Sequence, residues 1–421
     1  MSDVWDAVIV GGGAAGYFGA ITCANAIKSS SRSHPPRVLI VERARKVLQK
    51  VKISGGGRCN VTHDCLDPKE MASRYPRGNK ALIGPLHRFG VSETIAWFEG
   101  HGVELKTESD GRMFPITDDS QTIITCLTEA ARAANVELRT SSHVERVSAL
   151  SGSSKKARFE VILRGGERLQ ARNVMLATGG TRSTSGADIA EQLGHTLAPA
   201  IPSLFTFRIA DPRLDDLQGL SVEHTEVKVL GESLADVGPL LITHWGMSGP
   251  GILKVSAWGA RELYVRNYRF DIEVNWLPGI DVPGRLQSLR DSWGKRQVAS
   301  RCPFEPIPKR LWERLVEAAG IDTSTRWAEL PKSRAKALSE QLTRACFEVD
   351  GKSTNKDEFV TCGGVLTDEI DMRTMESRIS PGLYFAGELV DIDGVTGGYN
   401  FQNAWTTGYL AGSDMAIKAI E

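Results

Sequence analysis

Six residues, Gly11-Gly12-Gly13-Ala14-Ala15-Gly16, constrain this chain of 421 residues more than any others. They follow an apolar run at 7–10 and precede a helix-compatible stretch at 17–27; a second apolar run, 38–41, ends in Glu42. The spacing G-x-G-x-x-G alone is weak. A strand, a glycine turn, a helix and a second strand tipped by an acid is the layout that binds a dinucleotide. Gly11 permits the tight turn, Gly13 lets a pyrophosphate lie against bare backbone, and Gly16 lets the helix press on the sheet. The helix start at Ala14 and Ala15 supplies partial positive charge. Glu42 accepts from both hydroxyls of an adenosine ribose and repels a 2′-phosphate, which selects FAD or NAD over NADP. The acid lies 26 residues beyond Gly16 because a polar loop, 29–36, is spliced in.

The residues after Glu42 separate the two cofactors. Lys50 leads into Ser54-Gly55-Gly56-Gly57-Arg58-Cys59-Asn60. A second glycine cluster this early wraps a long dinucleotide from its other side, its N–H groups forming a nest for anionic oxygen. Arg58 adds a fixed charge. Farther on, an apolar strand ends in Ala177-Thr178-Gly179-Gly180, small residues at a strand's carboxyl end. Near the C-terminus stand Gly387-Glu388, Asp393 and Gly397-Gly398-Tyr399-Asn400, then a helix over 401–418 carrying Ala404, Gly408, Ala411 and Gly412 for close packing. Glu388 suits ribityl hydroxyls, and the helix start at 397–400 suits negative charge at N1–C2=O of an isoalloxazine ring. The cofactor expected is FAD.

These segments resemble the single-Rossmann, glutathione-reductase-type FAD fold. More closely, SGGGRCNVT (54–62), ATGG (177–180), THWGMSGPGIL (243–253), GLYFAGELVDIDG (382–394) and TGGYNFQNAW (396–405) resemble the aminoacetone-oxidase or BaiN-like family of bacterial and plastid flavoproteins. The resemblance runs in order along nearly the whole chain. It implies an α/β fold in which both chain ends, 1–198 and 350–421, build the FAD/NAD(P)-binding Rossmann-like domain. A β-barrel and helical domain is inserted at 199–349. The cofactor contacts implied extend to Arg43, Lys50 and Val144. Two departures stand out. The stretch after ATGG is shortened, so Gly186 and Asp188 are not carried over as site residues, and His63 stands where the family commonly has Asn, on the substrate side.

The insert holds six of the nine tryptophans, at 245, 258, 276, 293, 312 and 327, most of them expected in its core. Strands are expected at 205–209 and 222–229, a pair of strands within 264–276, and proline-broken helices over 283–346. The glycine-rich stretch 243–251 reads equally as a lid bringing His244 over a flavin or as a tight inter-strand loop.

Several classes are excluded. Seven cysteines with no C-x-x-C pair argue against a disulfide framework and a four-ligand zinc site; Cys59, His63 and Cys65 lack a fourth ligand. A reducing cytoplasm is expected. Residues 7–27 carry no formal charge and are long enough to span a bilayer, but five glycines divide them into strand, turn and helix. The 51 basic and 51 acidic residues balance, yet 43–88 carries eleven cations against three acids and 285–310 seven against two. Each excess reads as a solvated basic face or as a dock for a polyanion.

With no second G-x-G-x-x-G, electrons come from the substrate itself or from NADH or NADPH bound transiently at the flavin face. The resemblance implies hydride transfer at flavin N5; family members are assigned to amine oxidation, to reduction of an activated C=C in steroid-like acids, and to reduction of a uracil base in ribosomal RNA. The last two share one chemistry, hydride to the β-carbon of a conjugated carbonyl and a proton to the α-carbon. Cys59, His244 and Tyr399 are the catalytic candidates, with Arg58 expected to lower the Cys59 thiol pKa. His63 and Arg112 are the substrate-side candidates. Three readings result: a FAD-dependent oxidoreductase of a small C=C or amine substrate, a dihydrouridine synthase-like reductase of ribosomal RNA, and a flavin-binding protein without turnover.

Overall fold

The structure, a computed structural model, describes residues 4–31, 34–150, 157–181, 185–353 and 360–420. The chain divides into two compact units, 1–201 with 360–421, and 202–359.

The first unit is built on a sheet whose parallel centre is the strand Trp5–Val10, flanked by Val38–Val41 and Arg168–Leu176. Trp5–Val10 and Val38–Val41 are buried throughout, as a sheet covered on both faces requires. Glu137–Arg139 extends it beyond Val38–Val41, and Leu383–Phe385 adds in parallel beyond Arg168–Leu176, so the C-terminal segment closes the sheet begun by the N-terminal one. An antiparallel hairpin, Val144–Ala149 with Phe159–Leu163, joins the outer part of Arg168–Leu176. The uncharged stretch 7–27 resolves into the first strand, the glycine turn and the helix Ala14–Lys28. No helix of the described residues is long and apolar enough to cross a membrane.

Helix Ala14–Lys28 lies against helix Tyr399–Ile420 at backbone distance. A Cβ on Gly408 would sit 2.7 Å from Ala15 O, and one on Gly19 would sit 2.9 Å from Gly408 O. Interhelical distance follows the side chains at the contact, and here there are none. A small antiparallel sheet, Thr62–His63, Arg112–Pro115 and Leu105–Thr107, stands beside the start of the C-terminal helix: a Cβ on Gly398 would meet the Thr62 carbonyl carbon at 2.5 Å.

The second unit is an antiparallel sheet in the order Ala345–Val349, Phe270–Asn275, Ser221–Val229, Ala235–Thr243, Gly246–Ser248, Phe207–Arg208, Gly351–Lys352, with helices that include Val282–Ser292, Lys309–Ala318 and Lys332–Thr343. The strand pair expected within 264–276 is corrected. Ala260–Val265 is helical, Asn267 and Tyr268 turn the chain at positive φ, and only Phe270–Asn275 is a strand. Of the six tryptophans, Trp276, Trp312 and Trp327 are fully buried and Trp293 packs against their core, but Trp245 and Trp258 are exposed.

Candidate functional site

At the first glycine turn each glycine answers a different demand. Gly11 has φ +115° and donates its N–H to Val41 O at 2.9 Å; a Cβ there would strike Ala177 O, where the third strand ends. A Cβ on Gly16 would strike Gly11 O. Gly13 differs: it caps the helix in an extended conformation, and a Cβ there would meet no atom within 4 Å. The helix opens with no side-chain cap, leaving first-turn N–H groups for a ligand. Glu42 lies beside them, accepting from Gly12 N and Ala44 N, both at 2.7 Å, one bond to each oxygen. Each oxygen keeps a lone pair for a further donor. Arg43 is exposed next to it.

The second glycine cluster breaks the helix Gln49–Gly57. Ser54 is extended, and Gly55, Gly56 and Gly57 follow in succession at positive φ. A Cβ on Gly56 or Gly57 would meet nothing within 4 Å, whereas Gly55 packs on Phe114. Arg58 does not stand ready for an anion. Its Nη1 reaches Glu108 Oε1 at 2.5 Å and Asp118 Oδ1 at 3.4 Å, and its guanidinium lies 3.9 Å above the Phe114 ring. The lowered Cys59 pKa is therefore also corrected: the thiol is fully buried and burial pushes it up to about 12, a Ser54 hydrogen bond opposing. Asn60 is tied inward, its amide placed to donate to Thr62 O and Met113 O and to accept from Gly398 N.

Around Glu388 several distant segments converge. It pairs with Lys50 and accepts from Thr361 N at 2.8 Å, while a Cβ on Gly180 would stand 2.8 Å from its Oε1. Gly179 has φ +80°, and the buried Oγ1 atoms of Thr178 and Thr181 have no partner among the described residues. Gly387 donates to Thr407 Oγ1 at 2.9 Å with its Cα facing Ala15. Asp393 is fully buried in an ion pair with Arg77, Nε to Oδ1 at 2.6 Å, so it anchors the 391–394 segment. Val144 is buried at the start of its hairpin, opposite Leu163. Gly186 opens the helix Ser185–Gln192 against Thr178, and Asp188 lies in its first turn.

Gly397 and Gly398, both at positive φ, turn the chain into helix Tyr399–Ile420, and Asn400 braces that turn by exchanging hydrogen bonds with Gly394 N (2.9 Å) and O (2.8 Å). His63 Nδ1 lies 3.1 Å from Gly397 O, and its ring stacks on Tyr399 with centroids 4.8 Å apart. That contact assigns the Nδ1–H tautomer and leaves Nε2 as an acceptor. Burial holds the His63 pKa below the ordinary value, with the Gly397 carbonyl opposing. Burial likewise pushes the Tyr399 phenol up to about 12, and its Oη has no hydrogen-bond partner among the described residues. Tyr75 Oη donates to Tyr399 O at 2.6 Å, fixing the first residue of the helix.

Arg112 is the cross-strand partner of His63 in the small sheet, whereas His244 lies on the other compact unit. Arg112 gives its charge to Asp110 (2.7 Å) and Glu108 (3.1 Å). His244 belongs to the second unit, in the two-residue turn between Ala235–Thr243 and Gly246–Ser248. Sequence reasoning missed Gln402, which bonds Thr62, Thr94 and Thr406 while fully buried, and Asn403, whose buried Oδ1 lacks a partner among the described residues. The signal was present: two amides inside an otherwise apolar helical run.

These features fit FAD: open space beyond Gly13, Gly56 and Gly57, two carboxylates on bracing backbone, and orphaned Oγ1 and Oδ1 atoms at the strand and helix ends. A family model described as the HI0933-like protein Rossmann domain matches residues 5–414. The ribosomal RNA dihydrouridine synthase of Escherichia coli K12 is 32% identical over 98% of this chain and 98% of its own. The 3-dehydro-bile acid delta(4,6)-reductase of Clostridium scindens is 30% identical over 97% and 98%. Among solved structures, 3-ketosteroid delta1-dehydrogenase from Sterolibacterium denitrificans has 13% identity, covers 99% of this chain and 100% of its own, and gives a TM-score of 0.52, a likeness of fold. The chain belongs to the HI0933-like Rossmann family and is a FAD-dependent oxidoreductase.

Proposed function

We propose that this enzyme reduces a C=C bond conjugated to a carbonyl, and that its substrate is a uracil base carried in RNA. The observation that carries the reaction is the Tyr399–His63 pair, a phenol with no hydrogen-bond partner among the described residues stacked against an imidazole whose pKa burial holds down. Saturating such a bond requires a proton at the α-carbon, from a donor still protonated at neutral pH. Tyr399 meets that need because a phenol carries its proton at neutral pH, and burial only pushes its pKa further up, to about 12. His63 keeps the phenol in place through the stack and offers Nε2 as an acceptor for returning a proton. Tyr75 and the Gly397–Gly398 turn hold the Tyr399 backbone against Thr62.

FAD, when bound, supplies the hydride-donating chemistry. Gly11, Gly13, Ala14, Ala15, Gly16 and Glu42 would hold its adenosine diphosphate half, and Gly55–Gly57, Thr178–Gly180, Gly387, Glu388 and Gly397–Asn400 the remainder. NADH or NADPH is the proposed source of electrons.

RNA is favoured by charge. Arg45, Lys46, Lys52, Lys69, Arg74 and Lys80 are exposed, and none has an ion pair among the described residues. Arg74 acts electrostatically on both His63 and Tyr399, opposed by Asp110 at both, by Asp64 at His63 and by Glu70 at Tyr399. The identity to the Escherichia coli enzyme supports the same substrate. A second reading, a steroid-like enone, is favoured by the Clostridium relative, whose name specifies a bile-acid reductase.

The test is anaerobic turnover of the flavin-loaded protein with NADH or NADPH against a uracil-containing RNA and a bile-acid dienone. Dihydrouridine formation is expected. Reduction of the dienone alone would move the substrate to the second reading, and turnover of neither would overturn the reaction proposed.

A further inference from the structure

In the second unit, helix Val282–Ser292 ends at Trp293, whose ring packs on the core of that unit. The guanidinium carbon of Arg296 lies 4.8 Å from the indole centroid and that of Arg301 5.5 Å. The loop after this helix is tied to a second one: Val298 N donates to Thr325 O at 2.9 Å, Trp327 N to Arg296 O at 3.0 Å and Ala328 N to Gly294 O at 3.1 Å. Gln297 and Arg326 form an isolated β-bridge, which brings Arg326 alongside Arg296.

Lys295, Arg296, Arg301 and Arg326 are all exposed, and none has a carboxylate within ion-pair distance among the described residues. Residues 293–303 contain no acid. Other cations of the unit are paired, among them Arg213 with Asp211, Arg266 with Glu232, Arg344 with Glu273 and Lys336 with Glu340. What sets this cluster apart is that two of its guanidinium groups lie over one indole ring while two loops hold its backbone together. Complementing the helix C-terminus does not account for it, since Arg290 already occupies the last turn and donates to Leu330 O at 2.8 Å.

We propose that this cluster is a docking surface for the phosphate backbone of RNA, an inference that rests on RNA being the substrate. Guanidinium groups match phosphate oxygens in bidentate geometry, and two of them already lie over one indole ring, which lowers the ordering lost on binding. A protein or membrane partner would need an apolar anchor. Between 281 and 330 no large hydrophobic side chain is exposed among the described residues. The surface therefore supplies affinity and orientation without base selectivity.

The experiment uses the full-length, FAD-loaded enzyme and a uracil-containing RNA hairpin as the probe. Arg296→Gln, Arg301→Gln and Arg326→Gln are combined and compared with a control that removes ion-paired cations, Lys336→Gln with Arg344→Gln. The triple variant is expected to bind the hairpin about tenfold more weakly or worse near physiological salt. Its log Kd against log salt slope should be shallower by about two to three, at unchanged kcat. Thermal midpoints matching the wild type confirm the fold. A triple variant with wild-type Kd and slope overturns the surface and leaves the substrate reading standing. A wild-type enzyme that does not bind the hairpin overturns both. Competition by polyglutamate as effective as RNA at equal charge would reassign the surface to an acidic protein.

Discussion

Gly13→Val separates the stability of the fold from the binding of FAD. Gly13 has φ −90° and ψ −170°, an extended conformation open to valine, and a Cβ there meets no protein atom within 4 Å. As an N-cap, glycine is preferred over valine by up to about 1 kcal/mol. Reduced freedom of the unfolded chain returns about 0.4–1 kcal/mol. The flavin-free variant should therefore melt within a few degrees of the flavin-free wild type, roughly 2–4 °C at most. The cofactor is another matter. A pyrophosphate approaching the bare helix start meets two added methyl groups, and forced overpacking costs about 1–3 kcal/mol or more, which is roughly five- to 150-fold or more in Kd. Gly16→Val serves as the contrast: its Cβ would collide with Gly11 O, so that variant should fail to fold with or without flavin. Thermal melts of flavin-free protein and titration by quenching of flavin fluorescence measure both quantities. A Gly13→Val protein that binds FAD with the wild-type Kd would refute the placement of the pyrophosphate. One that loses stability as Gly16→Val does would refute the steric reasoning.

Tyr399→Phe removes the Oη proton, and kcat for C=C reduction should fall about 10²–10⁴-fold, with flavin absorbance retained. Gly111→Ala places a Cβ 2.5 Å from His63 Nε2 at a φ of +84°, so the imidazole must leave its stack. It should lower kcat in the same direction, read beside a stability loss of about 1–2 kcal/mol in urea. Arg77→Ala strands the buried Asp393 carboxylate and should cost about 3–5 kcal/mol, part of which Asp393→Asn restores in the double variant. Acid should destabilise the first unit through His195, whose Nδ1 lies 3.1 Å from Glu369 Oε2 and whose Nε2 lies 2.9 Å from Ser377 Oγ. Burial lowers the His195 pKa, with Glu369 opposing, so below about pH 6.5 the unfolded chain takes up a proton that the native ring resists. Glu369 acts in the same direction: burial opposes its ionisation but is outweighed by the Thr196 and His195 contacts, its folded pKa is lowered, and its contribution is lost as pH falls from about 4.5. The urea midpoint should drop between pH 7 and 5, and drop less in His195→Gln; an equal slope in both would remove His195 from the account.

The Rossmann frame was readable because its glycines encode backbone demands that act over a few residues or across one strand. Gly11 and Gly16 are needed for contacts that any side chain would destroy, and a local pattern is enough to see that. Polar side chains in the same motifs were not readable in this way. Arg58 looked like an anion ligand by type and neighbourhood, yet its charge is taken by Glu108 and Asp118, fifty and sixty positions away. Asp393 sits in a motif that resembles a cofactor loop but faces Arg77, 316 positions distant. Spacing cannot reveal such partners, because the pairing is decided only when segments distant in sequence meet in the fold. The strand pair expected within 264–276 reduces to one strand, Phe270–Asn275, because Ala260–Val265 is helical and two successive positive-φ residues, Asn267 and Tyr268, turn the chain between them. Such distant partners also indicate how the site should be recognised. Once protein partners are counted among the described residues, the unsatisfied buried atoms in the motif segments are Thr178 Oγ1, Thr181 Oγ1 and Asn403 Oδ1, beside the open space at Gly13 and the unbonded Tyr399 Oη; Asn173 Oδ1, Trp276 Nε1 and Trp327 Nε1 are also unpartnered. Buried polar atoms without partners are costly unless something else satisfies them. A flavin laid along Gly13, Thr178 and Asn403, with a substrate carbonyl or carbon presented to Tyr399, is the arrangement by which the proposed function would remove that cost.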